Sequence, residues 1–221
     1  MGQPFGAKTA EKPKFANKYL QFRGKNTMKL IIASNNAHKI YEIKKILDGR
    51  FDEILSLREA GISHETVEDG KTFMENALKK AREIAKLSGQ AALADDSGIT
   101  AHALGDEPGI YSARYAGVDG GHAADEANNA LLKKNLADKQ DRTAHYTAAV
   151  ALVYPDGREV CAEGYMYGKI IDEPRGTRGF GYDPIFVMDG ETRTVAEMTD
   201  EEKNAVSHRA KALRLLLTKL S

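Results

Sequence analysis

Cys161 is the only cysteine in the chain. A lone thiol excludes an intramolecular disulfide and the usual zinc clusters, and it favours a reducing compartment. Long hydrophobic runs are missing as well. No stretch approaches the roughly 18 apolar residues that a membrane span needs. The first 27 residues lack the apolar centre of a secretory signal, and with one Arg and no Ser they make a weak transit peptide. These absences point to a cytoplasmic protein with no membrane partner.

Net charge is absent too, but only on average. The chain holds 32 basic and 32 acidic residues. Residues 1–27 take Lys8, Lys12, Lys14, Lys18, Arg23 and Lys25 against Glu11 alone, which leaves residues 28–221 with 26 basic and 31 acidic residues, a formal charge of −5. A core of that sign is a poor general nucleic-acid binder, because such affinity rests on neutralising phosphates. It suits a small anionic ligand held by a few placed cations and a divalent metal. Met28-Lys29-Leu30 reads like a natural start, giving one domain over 28–221 behind a basic, flexible arm over 1–27.

Lys29–Ala33 is a short apolar strand, followed by a helix with Ile40, Ile43, Ile46 and Leu47 at helical spacing. Residues 51–57 form a second strand. Thr72-Phe73-Met74-Glu75 has the form of a capping box, and Phe73, Ala77, Ala81 and Ile84 stripe the next helix. Ala91–Asp95 is a third strand and Asp125–Leu136 a helix. Tyr146–Tyr154 and Glu159–Lys169 form a hairpin around Pro155-Asp156-Gly157, and Glu201–Leu220 is the final helix. Strand–helix units followed by a hairpin predict an α/β fold: a long mixed β-sheet flanked by helices, with two lobes and a central active-site groove.

Four stretches could carry chemistry. Leu93-Ala94-Asp95-Asp96-Ser97-Gly98 ends an apolar strand in two carboxylates and a glycine. Successive strand residues face opposite ways, so Asp95 and Asp96 cannot serve one ligand together. An Asx turn with solvated aspartates is the plain alternative. Ser34-Asn35-Asn36-Ala37-His38-Lys39 joins a strand to a helix whose amides attract phosphate. It lacks the glycines of a Walker loop, and Asn36 also suits a simple helix cap. Glu68, with Asp96, matches the one or two carboxylates Mg²⁺ takes, and Asn76 and Lys80 share one helix face. A solvated acidic loop is the competing reading. Finally, Gly179-Phe180-Gly181-Tyr182-Asp183-Pro184 offers aromatic faces and close backbone approach, and Lys203 and His208-Arg209 stand on the last helix.

In this order, Ser34-Asn35-Asn36-x-x-Lys39, Glu68-Asp69-Gly70-x-Thr72-Phe73-x-Glu75-Asn76-Ala77, Ala94-Asp95-Asp96-Ser97-Gly98, Pro108 to Tyr115, Gly179 to Pro184 and Lys203-x-x-x-Ser207-His208-Arg209 resemble the inosine triphosphate pyrophosphatase family. The likeness runs from about Lys29 to the C-terminus. It implies Mg²⁺-dependent hydrolysis of ITP, dITP and XTP to monophosphate and pyrophosphate in a homodimer, with Mn²⁺ as an alternative metal. By motif match Asp96 is the catalytic base or metal-organising carboxylate, Glu68 a metal ligand and Ser97 a substrate contact. The loop Ser34, Asn35, Asn36, Ala37, His38 and Lys39 holds phosphates, with Lys80 and Lys203 as further cations. Phe180, Gly181, Tyr182, Asp183, His208 and Arg209 surround the base, and His208 or Arg209 satisfies the C6 oxygen.

One position departs from the family's pattern, since Arg178 stands where that turn usually has glycine. If the position needs positive φ, the arginine strains the loop by roughly 1–3 kcal/mol; otherwise it points to solvent, and that is the expectation. The competing functional readings are a related pyrophosphatase with another base preference and a non-catalytic nucleotide-binding module.

Overall fold

The computed structural model describes residues 29–118 and 120–220. The expected arm over 1–27 lies outside the described residues. Six strands form one sheet in the order β2-β1-β3-β4-β5-β6. In it β1 (Lys29–Ile32) pairs in parallel with β2 (Glu53–Ser56) and β3 (Ala91–Ala101). From β3 onward, β4 (Thr143–Val153), β5 (Glu159–Ile170) and β6 (Phe186–Met188) are antiparallel. Parallel neighbours need long crossovers, and α1 (Ala37–Ile46) and α2 (Phe73–Ser88) supply them. The sheet is therefore mixed, as the order of elements in the chain requires.

Strand alternation sorts the core onto two faces. Leu30, Ile32, Leu93, Val150 and Leu152 pack with Ile43 and Leu47 of α1 and with Leu213 and Leu216 of α5 (His208–Thr218). Ile31, Ala33, Ala92, Ala94, Ala149 and Ala151 pack with Ala77, Ala81 and Ile84 of α2. A third cluster gathers Ile99, Tyr146, Met166 and Phe186 with Leu132 and Leu136 of α3 (Gly121–Leu136), building the second lobe at the far end of the long strands.

Several local expectations are corrected. The third strand does not stop at Asp95: β3 runs through Asp-Asp-Ser-Gly to Ala101, with Asp96 opposite Ala149 and Gly98 opposite Thr147. The Asx-turn alternative is thereby excluded. Gly98 makes no turn; a Cβ there would lie 2.3 Å from Ser112 Oγ and 2.7 Å from the Gly109 carbonyl, so it is a seat for the 3₁₀ segment Gly109–Arg114. The capping box of α2 is half formed. Thr72 Oγ1 accepts from the Glu75 amide at 3.1 Å, but Glu75 reaches back one residue further, to the Lys71 amide at 2.6 Å.

The expected final helix is two helices, α4 (Asp200–Val206) and α5. Ser207 breaks it, with an extended ψ of 156°, and then caps α5 by accepting from the Ala210 amide. The second strand is also shorter than expected, and β6 carried no periodic signal long enough to read.

The backbone of α5 lies directly on β5. A Cβ on Gly164 would stand 2.3 Å from the His208 carbonyl oxygen and 2.4 Å from the Ala212 amide nitrogen. Gly164→Ala is expected to destabilise the fold by about 1–3 kcal/mol, because the obstacle is backbone and cannot rotate away. An unchanged urea midpoint would show that α5 can lift from the strand without cost.

Candidate active site

Continuation of β3 through Asp95 and Asp96 sends their side chains to opposite faces of the sheet, toward α1 and α5 on one side and α2 on the other. Asp95 is wholly buried and saturated. Arg209 donates to it from Nε at 3.1 Å and Nη2 at 3.2 Å, Ser97 Oγ donates at 2.9 Å, and Lys39 Nζ is 3.0 Å away. Burial alone would raise its carboxyl; Arg209 and Lys39 hold it well below the ordinary range instead. Arg209 is itself buried, and it also meets Glu42 and Ser97 Oγ. Glu42 and Asp183 in turn hold Lys203, at 2.8 and 2.7 Å. Three carboxylates and three cations thus neutralise one another beneath the groove.

The other face carries a smaller cluster. Lys80 Nζ donates to Glu68 Oε1 at 2.6 Å, Asp96 Oδ1 at 3.0 Å and the Asp95 carbonyl at 3.1 Å. Asn76 Nδ2 donates to Asp96 Oδ2 at 3.2 Å, while its Oδ1 accepts from the Gly70 amide at 2.8 Å and so fixes the amide's orientation. Burial would raise the Glu68 carboxyl, but Lys80, Lys39 and Arg114 bring it below its usual value. Burial would likewise lower the Lys80 ammonium, and Asp96 and Glu68 raise it. Both carboxylates converge on one ammonium, which makes them a pair of hard oxygen donors at a single point. That donor set suits Mg²⁺, which takes one or two carboxylates and completes its shell with water and phosphate.

At the start of α1 the loop is occupied with its own architecture. Asn36 Oδ1 caps the helix through the Lys39 amide at 3.1 Å, Ser34 Oγ accepts from the Asn36 amide, and Asn35 Nδ2 donates to the His64 carbonyl. Ala37 opens the helix. His38 turns away from the phosphate side: its ring stacks on Phe180 at 5.0 Å and 13°. Phe180 also has Lys203 Nζ 4.8 Å and the Arg209 guanidinium 5.8 Å from its ring centre. A cleft of about 320 Å³ opens here, lined by His38, Glu42, Phe180, Lys203 and Asn204 among others.

Gly179 and Gly181 have φ of +75° and +62°, and a Cβ on Gly179 would strike Asp183 Oδ2 at 2.1 Å. The tight approach lets Asp183 accept from the Phe180 amide at 3.0 Å and so orient the ring. Arg178 is exposed, keeps φ out of the left-handed region, and donates to the Glu197 carbonyl. The departure from glycine therefore strains nothing, as expected.

Tyr182 is buried, with its hydroxyl donating to the Ser112 carbonyl at 2.8 Å, and serves the second lobe rather than the cleft. His208 is buried and stacked on Tyr146 at 4.6 Å and 10°. Burial, then Arg209, holds its imidazole well below the ordinary histidine range, and its Nδ1 is without a hydrogen-bond partner among the described residues. That nitrogen is buried and unsatisfied, a polar atom enclosed beside Tyr146 and Arg209.

Comparison with known proteins agrees with this geometry. The model of the Ham1 family matches residues 30–219. The chain belongs to the Ham1 family. It is 48% identical over 194 residues to a dITP/XTP pyrophosphatase of Ralstonia nicotianae, covering 87% of this chain and 96% of the relative. A dITP/XTP pyrophosphatase of Bacillus subtilis is 44% identical, with 84% and 93% covered. Among solved structures, a HAM1 protein from Coxiella burnetii superposes with a TM-score of 0.78 at 39% identity, covering 87% of this chain and 98% of that one. A nucleoside-triphosphatase, or dITP/XTP pyrophosphatase, from Mycobacterium abscessus gives 0.69 at 47%, with 86% and 99% covered.

Within this Ham1 fold the structure brings together Lys39, Glu68, Lys80, Asp96, Ser97, Phe180, Asp183, Lys203, His208 and Arg209. Asn36 is a helix cap and Tyr182 a core residue. Sequence reasoning missed Glu42, Asp95's saturation and Tyr146. A signal existed for Glu42, which lies three residues beyond Lys39 and therefore on its helical face; none existed for Tyr146.

The two aspartates should respond differently to loss of charge. Asp95→Asn leaves the cations Arg209, Lys39 and Lys203 with only Glu42 and Asp183 to neutralise them, and is expected to cost about 3–5 kcal/mol. Asp96→Asn leaves Lys80 paired with Glu68 and should cost far less. Equal shifts in thermal midpoint would mean that the Asp95 network does not carry the fold.

Proposed function

We propose that this chain hydrolyses non-standard purine nucleoside triphosphates, dITP, XTP and ITP, to nucleoside monophosphate and pyrophosphate, and so cleans the nucleotide pool. What carries the reading is Asp96, a nearly buried carboxylate held by Lys80 and Asn76 beside the more open Glu68, while its neighbour Asp95 is fully consumed. Relatives that share nearly the whole chain bear the name dITP/XTP pyrophosphatase.

The base stacks on Phe180, in the position where His38 now lies. His208 is the better reader of the C6 oxygen, because Arg209 is fully engaged with Asp95, Glu42 and Ser97. A neutral imidazole that donates from Nδ1 meets the oxygen of hypoxanthine or xanthine. The amino group of adenine would leave two donors facing, at a cost of about 1–3 kcal/mol. Ser97 and Lys39 stand where the sugar and phosphates pass.

Glu68 and Asp96 would hold Mg²⁺, with Mn²⁺ as an alternative, and the metal when bound neutralises phosphate charge. Asp96 orients the attacking water and takes its proton as the bond between the α-phosphorus and the pyrophosphate oxygen breaks. Lys80 pairs with both carboxylates and faces the charge that develops on the phosphate oxygens.

A turnover panel of ITP, XTP, dITP, ATP, GTP, CTP and UTP with Mg²⁺ tests this, resolving monophosphate plus pyrophosphate from diphosphate plus phosphate. Selective monophosphate release from ITP, XTP and dITP, abolished in Asp96→Asn, is the expected result. Turnover of another base would favour the related pyrophosphatase, and binding without turnover the non-catalytic module.

The assembly we propose is a homodimer in the cytoplasm, consistent with the bacterial relatives; no described helix is long and apolar enough to cross a membrane. Tyr165 and Tyr167 stack at 6.2 Å on the outer face of β5, beside His145, with Tyr167 half exposed. A second copy covering this strip would make Tyr167→Glu monomeric by sedimentation velocity. A wild-type monomer would remove the dimer from the account.

A further inference from the structure

We infer that Arg114 is a binding residue for the pyrophosphate end of the substrate, a role that rests on the nucleotide-hydrolysing reading above. The groove has a direction. From Phe180 the contacts run through Lys203 and Arg209 to Asp95 and Lys39, then through Lys80 to Asp96 and Glu68. Arg114 follows at the far end, with Nη1 3.6 Å from Glu68 Oε2, the oxygen that Lys80 does not use. A base on Phe180 therefore points its phosphates toward Arg114.

The cations of the groove floor are already committed, Lys39 to Asp95 among them. Lys80, Lys203 and Arg209 each bind two carboxylates and are nearly buried. Arg114 keeps 45% of its side chain exposed and makes, among the described residues, only the long contact to Glu68 and a stack on Tyr111 at 5.4 Å. A guanidinium has five N–H donors in a planar fork matched to phosphate, so most of its capacity is unused.

Its backbone, by contrast, is held from all sides. Ser112 Oγ donates to the Ile99 and Gly109 carbonyls and accepts from the Ile99 amide, pinning the segment to β3 directly after Asp96 and Ser97. Tyr182 holds the Ser112 carbonyl, and Asn128 holds the Ala113 carbonyl and the Ala116 amide. The bare Gly98 makes this seat possible. A rigid backbone carrying one open cation at the edge of the acidic pair is an arrangement for a mobile anion, not for a structural ion pair. Were Glu68 to hold a divalent cation, its charge would be taken up there and the guanidinium would be free for the terminal phosphates.

The test is calorimetric binding of pyrophosphate and of IMP, each with Mg²⁺, to the full chain and to Arg114→Ala, Arg114→Gln and Arg114→Lys. Pyrophosphate affinity should fall at least tenfold in the first two and recover in part in the lysine variant, with IMP affinity unchanged and KM for ITP raised. Unchanged pyrophosphate affinity, or an equal loss for IMP, would overturn the assignment. If the wild-type chain binds neither and turns over no triphosphate, the nucleotide reading itself fails instead.

Discussion

The ion pair between Asp95 and Arg209 is the interaction on which the rest of this structure depends. It ties the centre of the sheet to the first turn of α5, and through Glu42 and Lys39 it ties both to α1. Buried charges are costly to desolvate, and they persist only where geometry and hydrogen bonding satisfy every lone pair. Here the same residues that neutralise one another also floor the groove. Packing and site are therefore one network, and Arg209 is better understood as its keystone than as a free reader of substrate.

Around that network the division of labour follows from backbone geometry. Adjacent strand residues point opposite ways, so one aspartate joins the buried network and the next meets Lys80 and Asn76 on the other face. Lys80 links the two, since it reaches the Asp95 carbonyl as well as both carboxylates of the α2 side. Close contacts at Gly98 and Gly164 then seat the Gly109–Arg114 segment on β3 and α5 on β5.

Much of this was legible in the residues. Apolar periodicity located α1, α2 and the hairpin, and alternation at Asp95-Asp96 predicted the split of the acidic pair. The order of the motifs pointed to the family. What escaped was three-dimensional. Asp-Asp-Ser-Gly reads as the end of a strand, because nothing local reveals that Ser112 fills the space a side chain at position 98 would occupy. The helix over 201–220 is continuous in periodicity, and only the cap formed by Ser207 turns His208 and Arg209 inward together. Glu42 passed unread because the two cations that pair with it, Lys203 and Arg209, come from the far end of the chain.

Asp95 and Asp96 owe their different fates to registration alone, since β3 is held opposite β4 residue by residue from Ala92 to Ala101. A strand displaced by a single position would bring Asp96 to Arg209 and present Ser97 to Lys80. Such a molecule could keep its helices and most of its burial, yet Lys80 would be left with Glu68 as its one carboxylate. The alignment of the central strand thus decides which of two adjacent carboxylates is spent on the buried network and which is presented to Lys80.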